Sequence, residues 1–295
     1  MIQKRAFFIL AIAILAVSMA AILVRVSDAP ALIVAAYRML FASIFLLPIS
    51  LRALSKAKLN KEIIGLAVLA GFFLAIHFAT WISSLYFTSV AASVTIVATT
   101  PLWVTLFNWL FFGKAPSFMV LLGVLVAIAG GALIGFGDFG FGSAPLLGDL
   151  LALLGAIAAA AYLLLGRLIQ HRGISLNAYV AMAYGSAAIF LLPLPFFAGL
   201  DYFSYSRLSF LVIVLLALIP QMVGHTGINY AMKHIDPTVV ATIILFEPVI
   251  STVLAFLVFK EAPTITTIFG ALVLLAGVAI TVSAKQSKLT TKALS

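Results

Sequence analysis

The sequence predicts an all-α membrane protein of ten transmembrane helices, built as two inverted five-helix repeats with the N- and C-termini cytoplasmic. Three observations carry that expectation. The 295 residues are 65% hydrophobic and only 8% charged, with a mean hydropathy of +1.28, whereas soluble domains are about 25% charged. The apolar residues fall in long continuous runs rather than alternating stretches of about ten, which indicates helices and not an outer-membrane barrel. A block around Pro248 repeats one around Pro101 at a spacing of 147: Pro101, Phe112, Ala115, Pro116, Gly123, Ala129 and Gly130 return as Pro248, Phe259, Ala262, Pro263, Gly270, Ala276 and Gly277.

Taken in order, the expected spans are 6–26, 31–51, 63–87, 91–112, 118–136, 147–165, 178–197, 208–230, 238–259 and 264–282. The first run, with Lys4 and Arg5 at its basic end, imitates a signal peptide but belongs to a regular series of similar runs, so a retained helix is expected. Short links make neighbouring helices antiparallel hairpins, and the links at Ala115-Pro116 and Ala262-Pro263 place proline near a helix start, where its missing N–H does no harm. Basic residues gather on one side, as Lys4 and Arg5, Arg52 to Lys61, Lys114, Arg167 and Arg172, Lys233, and Lys285 to Lys292. The other side holds only Arg25, Arg207 and Lys260. The positive-inside rule then puts both ends in the cytoplasm. The net charge of +9 is explained by this orientation without nucleic acid.

The duplication divides the chain into a first repeat over 1–137, a link over 138–146, a second repeat over 147–284 and a cytoplasmic tail over 285–295. Phe45-Leu46-Leu47-Pro48 also returns as Phe190-Leu191-Leu192-Pro193, so the repeat reaches the second and seventh spans. Five spans per repeat is odd, which turns the second repeat upside down relative to the first. Such repeats place a transport site near the midplane, at helices interrupted by proline. Pro101 and Pro248 are the expected hinge positions.

Polar residues inside the spans nominate that site, because each is costly in hydrocarbon unless it faces protein or water. They are Arg38, His77, Trp81, Thr100, Gln221, His225 and Glu247. On these spans Glu247 counts as the one intramembrane acid and hence as Arg38's one obvious ionic partner, in a structural ion pair if the two touch, which the sequence leaves open. The competing reading is a cavity in which one or both contact the charged ends of a zwitterionic or anionic solute. His77 and Trp81 stand at i and i+4, adjacent on a helix. Gln221, His225 and Asn229 form a polar stripe at successive i+4 steps, as ready to make interhelical hydrogen bonds as to touch cargo. Thr100-Pro101 is the repeat counterpart of Glu247-Pro248. Tyr37, Tyr162, Tyr179 and Tyr184 are weaker candidates in a chain with 24 Phe and 8 Tyr, and Tyr179 is a candidate interface anchor.

Several classes are excluded or disfavoured. With no cysteine there is no disulfide or thiolate chemistry. No GxxxxGK[ST] loop is present, so the chain does not power transport with ATP, and no ATPase subunit is implied. The histidines show no HExxH arrangement, so neither a metal nor another cofactor is expected.

The runs Tyr37-Arg38-Met39-Leu40-Phe41, Thr99-Thr100-Pro101-Leu102-Trp103 and Phe246-Glu247-Pro248-Val249, set in two five-span halves, resemble the EamA-type branch of the drug/metabolite transporter superfamily. The resemblance spans about residues 6–283. It departs from the family at Gly113-Lys114, where a glutamate is usual after the glycine. It implies a plasma-membrane carrier, in many members an exporter of amino acids or related metabolites, whose third, fourth, eighth and ninth helices help line a central cavity. The expected function is therefore export of a small-molecule substrate across the bilayer by alternating access. A proton is the coupling ion that Glu247 suggests, although exit down a gradient needs none. Multidrug or nucleotide-sugar carriage is the alternative within the superfamily. An uncoupled channel or a non-transporting membrane subunit is the alternative outside it.

Overall fold

Residues 2–112, 117–137, 142–235, 240 and 243–293 are described by the computed structural model. Apolar composition drives each run into a helix, because only helices or closed barrels satisfy their own backbone in lipid. The order is α1 (Ile2–Ser18), α2 (Ala20–Val26), α3 (Ala31–Ser55), α4 (Lys61–Ser84), α5 (Val90–Val97), α6 (Thr100–Phe112), α7 (Phe118–Gly137), α8 (Pro145–His171), α9 (Leu176–Leu191), α10 (Pro193–Phe197) and α11 (Arg207–Leu216). A π-helical segment (Ala217–His225), α12 (Thr226–His234), α13 (Phe246–Phe259) and α14 (Ile265–Ala293) complete it. Seven stretches are long and apolar enough to span a membrane, and Phe118–Ile134, Phe246–Phe259 and Ile265–Thr281 are shorter apolar helices. Side-chain oxygens of Asn60, Ser89, Ser175 and Ser206 cap α4, α5, α9 and α11. Gly113-Lys114, the Ala115-Pro116 turn, and positions 238, 239, 241 and 242 of the expected ninth span lie outside the described residues.

Several expected single helices are interrupted, and proline explains most of the breaks. The fourth span splits at Ala98 and Thr99, where Pro101 lacks the N–H that would bond Val97. The Thr100 hydroxyl takes that place, donating to the Val97 carbonyl at 2.8 Å, and Thr99 donates to Ile96 at 2.7 Å. The ninth span breaks at Leu245, the repeat counterpart of Ala98, so α6 and α13 begin within one residue of equivalent points. In the seventh span Pro193 separates α9 from α10. In the eighth, Pro220 lies within the π-helical segment, whose i→i+5 bonding replaces the regular ladder. The first span breaks at Met19 without a proline; Ser251 on α13 donates to the Ser18 carbonyl at 3.0 Å.

Packing obeys an exchange of one repeat for the other. The third span (α4) lies on the sixth (α8), and the first (α1) lies on the eighth; the fourth meets the sixth as the ninth meets the first. The second and seventh spans pack together, as do the fifth and tenth. In that last pair a Cβ on Gly123 would come within 2.7 Å of the Gly277 carbonyl, and one on Gly270 within 2.9 Å of the Gly130 carbonyl. These two equivalent helices therefore run antiparallel with backbones in close approach, which only small residues allow. Exposed Phe111, Phe118, Phe197 and Ile265 line the outer surface, as expected of a chain solvated by lipid.

One end of the bundle is tied by polar contacts. Arg25 pairs with Glu261 at 3.2 Å and donates to the carbonyls of Leu85 and Thr88 at 2.6 and 2.9 Å, while Glu261 accepts from the Val90 N–H at 2.6 Å. Nearby, Asp28 accepts from the Ser209 hydroxyl and the Ser206 N–H, and these bonds hold its carboxyl below the ordinary carboxylate range.

Candidate functional site

Arg38 is the largest fully buried side chain, at 0% exposure, and elements of both repeats surround it. Its Nε and Nη2 donate to Gln221 Oε1 on the π-helical segment at 3.1 and 2.8 Å. Phe78 of α4 lies under the guanidinium, 4.2 Å from Cζ to the ring centroid, and the Trp81 ring is at 5.8 Å. Both distances fall within the range of cation–π attraction. His77 and Trp81 stack as their i,i+4 spacing predicts, with centroids 6.0 Å apart and planes 2° from parallel. His77 Nδ1 meets the Gly155 carbonyl of α8 at 2.9 Å. His225 stands edge-on to Phe78 at 5.9 Å, so the two histidines flank one ring from opposite repeats.

The chain thus brings Arg38, His77, Trp81, Gln221 and His225 together. Glu247 is only half-buried, more than 4.0 Å from Arg38, and makes no hydrogen bond or ion pair among the described residues, although the two are near enough to interact electrostatically. Of the two readings that the sequence leaves open, the geometry lacks the direct ion pair: Gln221, and not Glu247, holds the guanidinium. Glu247 occupies the first turn of α13, where the helix dipole favours a carboxylate. Thr100 is committed mainly to its own backbone, with a long 3.5 Å contact to the Ala156 carbonyl of α8. Pro101 and Pro248 both stand just after a helix break.

Two expectations are corrected. Glu247 is not the one acid within the spans, because Asp149 is buried near the start of α8 and accepts from the Thr88 hydroxyl at 2.8 Å. Gln221 and His225, at i and i+4, still share a face of the π-helical segment; Gln221 is buried while His225 and Asn229 are half-buried. Tyr179 is buried and donates to the Tyr162 carbonyl at 3.2 Å, so it is a packing residue and not an interface anchor.

Tyr184 of α9 joins the cluster with 0% exposure; Gln221, Thr226 and Tyr162 surround its hydroxyl, none of them in hydrogen-bond geometry. Four buried polar atoms here have no hydrogen-bond partner among the described residues: Arg38 Nη1, Trp81 Nε1, Gln221 Nε2 and Tyr184 Oη. Phe78, the ring on which the cluster rests, has no distinguishing mark among 24 phenylalanines. A separate cavity of about 400 Å³ lies beside the broken fourth span, walled by Ile96, Thr99, Trp103, Val124, Leu153 and Leu274. Its lining is mostly apolar, unlike the Arg38 cluster.

Comparison with known proteins agrees with this architecture. A protein of Archaeoglobus fulgidus described as an uncharacterized transporter is 28% identical over 258 residues, covering 85% of this chain and 86% of its own length. A crystal structure superposes with a TM-score of 0.66 at 20% identity, covering 96% of this chain and 98% of that one, which is a likeness of fold. The description of the EamA-like transporter family matches residues 5–136 and again 146–283, one match for each repeat. With both halves matched and a buried polar cluster between them, the chain belongs to the EamA-like transporter family, a family of multi-pass membrane transporters and not of enzymes.

Proposed function

We propose that this transporter is a secondary carrier of the plasma membrane, with inverted repeats and both termini cytoplasmic, which exports small metabolites of the amino-acid class by alternating access. The observation that carries the reading is the Arg38 cluster: a buried cation and its hydrogen-bond partner come from opposite repeats, so relative movement of the repeats would remodel it. The antiparallel packing of equivalent helices supports inversion, and the paired breaks before Pro101 and Pro248 fit the discontinuous helices that line transport sites. Aromatic faces at Phe78 and Trp81 offer apolar contact, and Arg38 and Glu247 offer orientation.

Counterflow in proteoliposomes loaded with a metabolite panel tests this, repeated with Glu247→Gln and with the pH gradient collapsed. Saturable exchange of at least one amino acid is expected, and dependence on both Glu247 and the gradient would identify proton coupling. Flux that neither saturates nor shows counter-transport would identify a channel. A preference for cationic drugs, abolished by Glu247→Gln but indifferent to Arg38, would identify a multidrug carrier.

A further inference from the structure

We infer that the Arg38 cluster is a carboxylate-binding site, so that the transported solute is recognised by a carboxylate joined to an apolar or aromatic body; this rests on the carrier reading above and names its substrate class. The cluster is short of acceptors. Arg38 Nη1, Trp81 Nε1 and Gln221 Nε2 can only donate, Tyr184 Oη can donate, and all four are without a partner on side chains at least nine-tenths buried. They belong to one locus. Gln221 holds the guanidinium through Oε1, which leaves its own amide nitrogen beside Arg38. The indole of Trp81 flanks the same guanidinium, and Tyr184 is adjacent to both Gln221 and Arg38.

Leaving such donors unmade in a buried site is costly, and a buried cation with no anion within 4.0 Å among the described residues costs more. One ligand removes both deficits, namely an anion with several acceptor lone pairs. A carboxylate has two oxygens with about four lone-pair sites and one negative charge, which matches four donors and one guanidinium. A phosphate dianion matches less well, because it brings two charges to a guanidinium whose Nε and Nη2 are already committed to Gln221. The rings of Phe78, Trp81 and His77 supply the apolar wall beside the head group. Glu247, at the start of α13 and without an ion-pair partner among the described residues, is a carboxylate that an ammonium could face without one being required.

The test uses the full chain carrying Trp103→Phe and Trp109→Phe, so that Trp81 is the single tryptophan and its emission reports the site directly. Four probes share one branched body: leucine, 4-methylpentanoate, leucinamide and isopentylamine. The two carboxylates are expected to shift Trp81 emission saturably and the two compounds lacking a carboxylate to leave it unchanged. Adding Tyr184→Phe should weaken carboxylate affinity about tenfold or more, the scale of a hydrogen bond to a charged group. It should leave thermal unfolding unchanged, because that hydroxyl has no partner to lose. Equal responses to amines and carboxylates, no response to either carboxylate, or unchanged affinity in Tyr184→Phe would each overturn the assignment. Carboxylate binding that emerges only in Glu247→Gln would overturn it too, by showing that Glu247 is the counter-ion. Saturable counterflow of other cargo under any of these outcomes would leave the carrier reading intact, whereas absence of saturable exchange would sink that reading alone.

Discussion

Arg38 and Gln221 meet across 183 residues of chain through two hydrogen bonds from a buried guanidinium. Removing one partner of such a pair is worse than removing both, because the remaining group keeps its desolvation cost without compensation. Gln221→Leu is therefore expected to destabilise the purified protein by about 1.5–3 kcal/mol in detergent. Arg38→Met combined with Gln221→Leu should recover much of that loss. Denaturant unfolding of the two single variants and the double variant measures the coupling. The partnership was half legible in the sequence: a charged and an amide side chain inside apolar runs announce themselves by cost. Which of them touch depends on the π-helical segment, and no i,i+4 rule anticipates how far that segment rotates Gln221. Glu247 shows the same limit, since scarcity of charge made it Arg38's natural partner while the break at Leu245 set it on a helix start more than 4.0 Å away.

At the scale of elements, α7 and α14 show what the repeated glycines do. A Cβ at Gly277 would stand 2.4 Å from the Ala127 nitrogen and 2.6 Å from the Gly123 carbonyl, both backbone atoms that cannot rotate aside. Gly277→Leu should cost at least about 1–3 kcal/mol as the helices are forced apart. Gly185, with nothing within 4 Å of its would-be Cβ, should accept alanine to within about 1 kcal/mol or gain slightly. Thermal unfolding of the two variants side by side checks the contrast. Gly123, Gly130, Gly270 and Gly277 stood out in the sequence because they recur at a fixed spacing, although nothing in that spacing says that the two copies face each other. The helix breaks divide in the same way. Pro101 and Pro193 mark theirs, whereas the break at Met19 has no proline, and the bond that the Ser18 carbonyl accepts there from Ser251 comes from a span far away in the chain. The Arg25–Glu261 tie was equally hidden, because its partners come from the ends of the first and third expected spans and from the links after the third and the ninth, far apart in the chain.

For the whole molecule, the apolar helices and the duplication could be read directly, since hydrocarbon solvation and a 147-residue spacing both write themselves into the sequence. The meeting of the two halves could not, because it depends on side-chain contacts between spans far apart in the chain. A carrier built on that meeting must expose the Arg38 cluster to each side of the membrane in turn. The absence of cysteine from the chain makes this directly measurable. Thr226 is half-buried beside Gln221 and Tyr184 and makes only a long 3.4 Å contact to the Gln221 carbonyl, so Thr226→Cys introduces a single thiol at the site with little disturbance. In oriented vesicles, alternating access predicts that a membrane-impermeant thiol reagent labels this cysteine from either side, and that a transported carboxylate slows labelling from both. Labelling from one side only, or from neither, would contradict it.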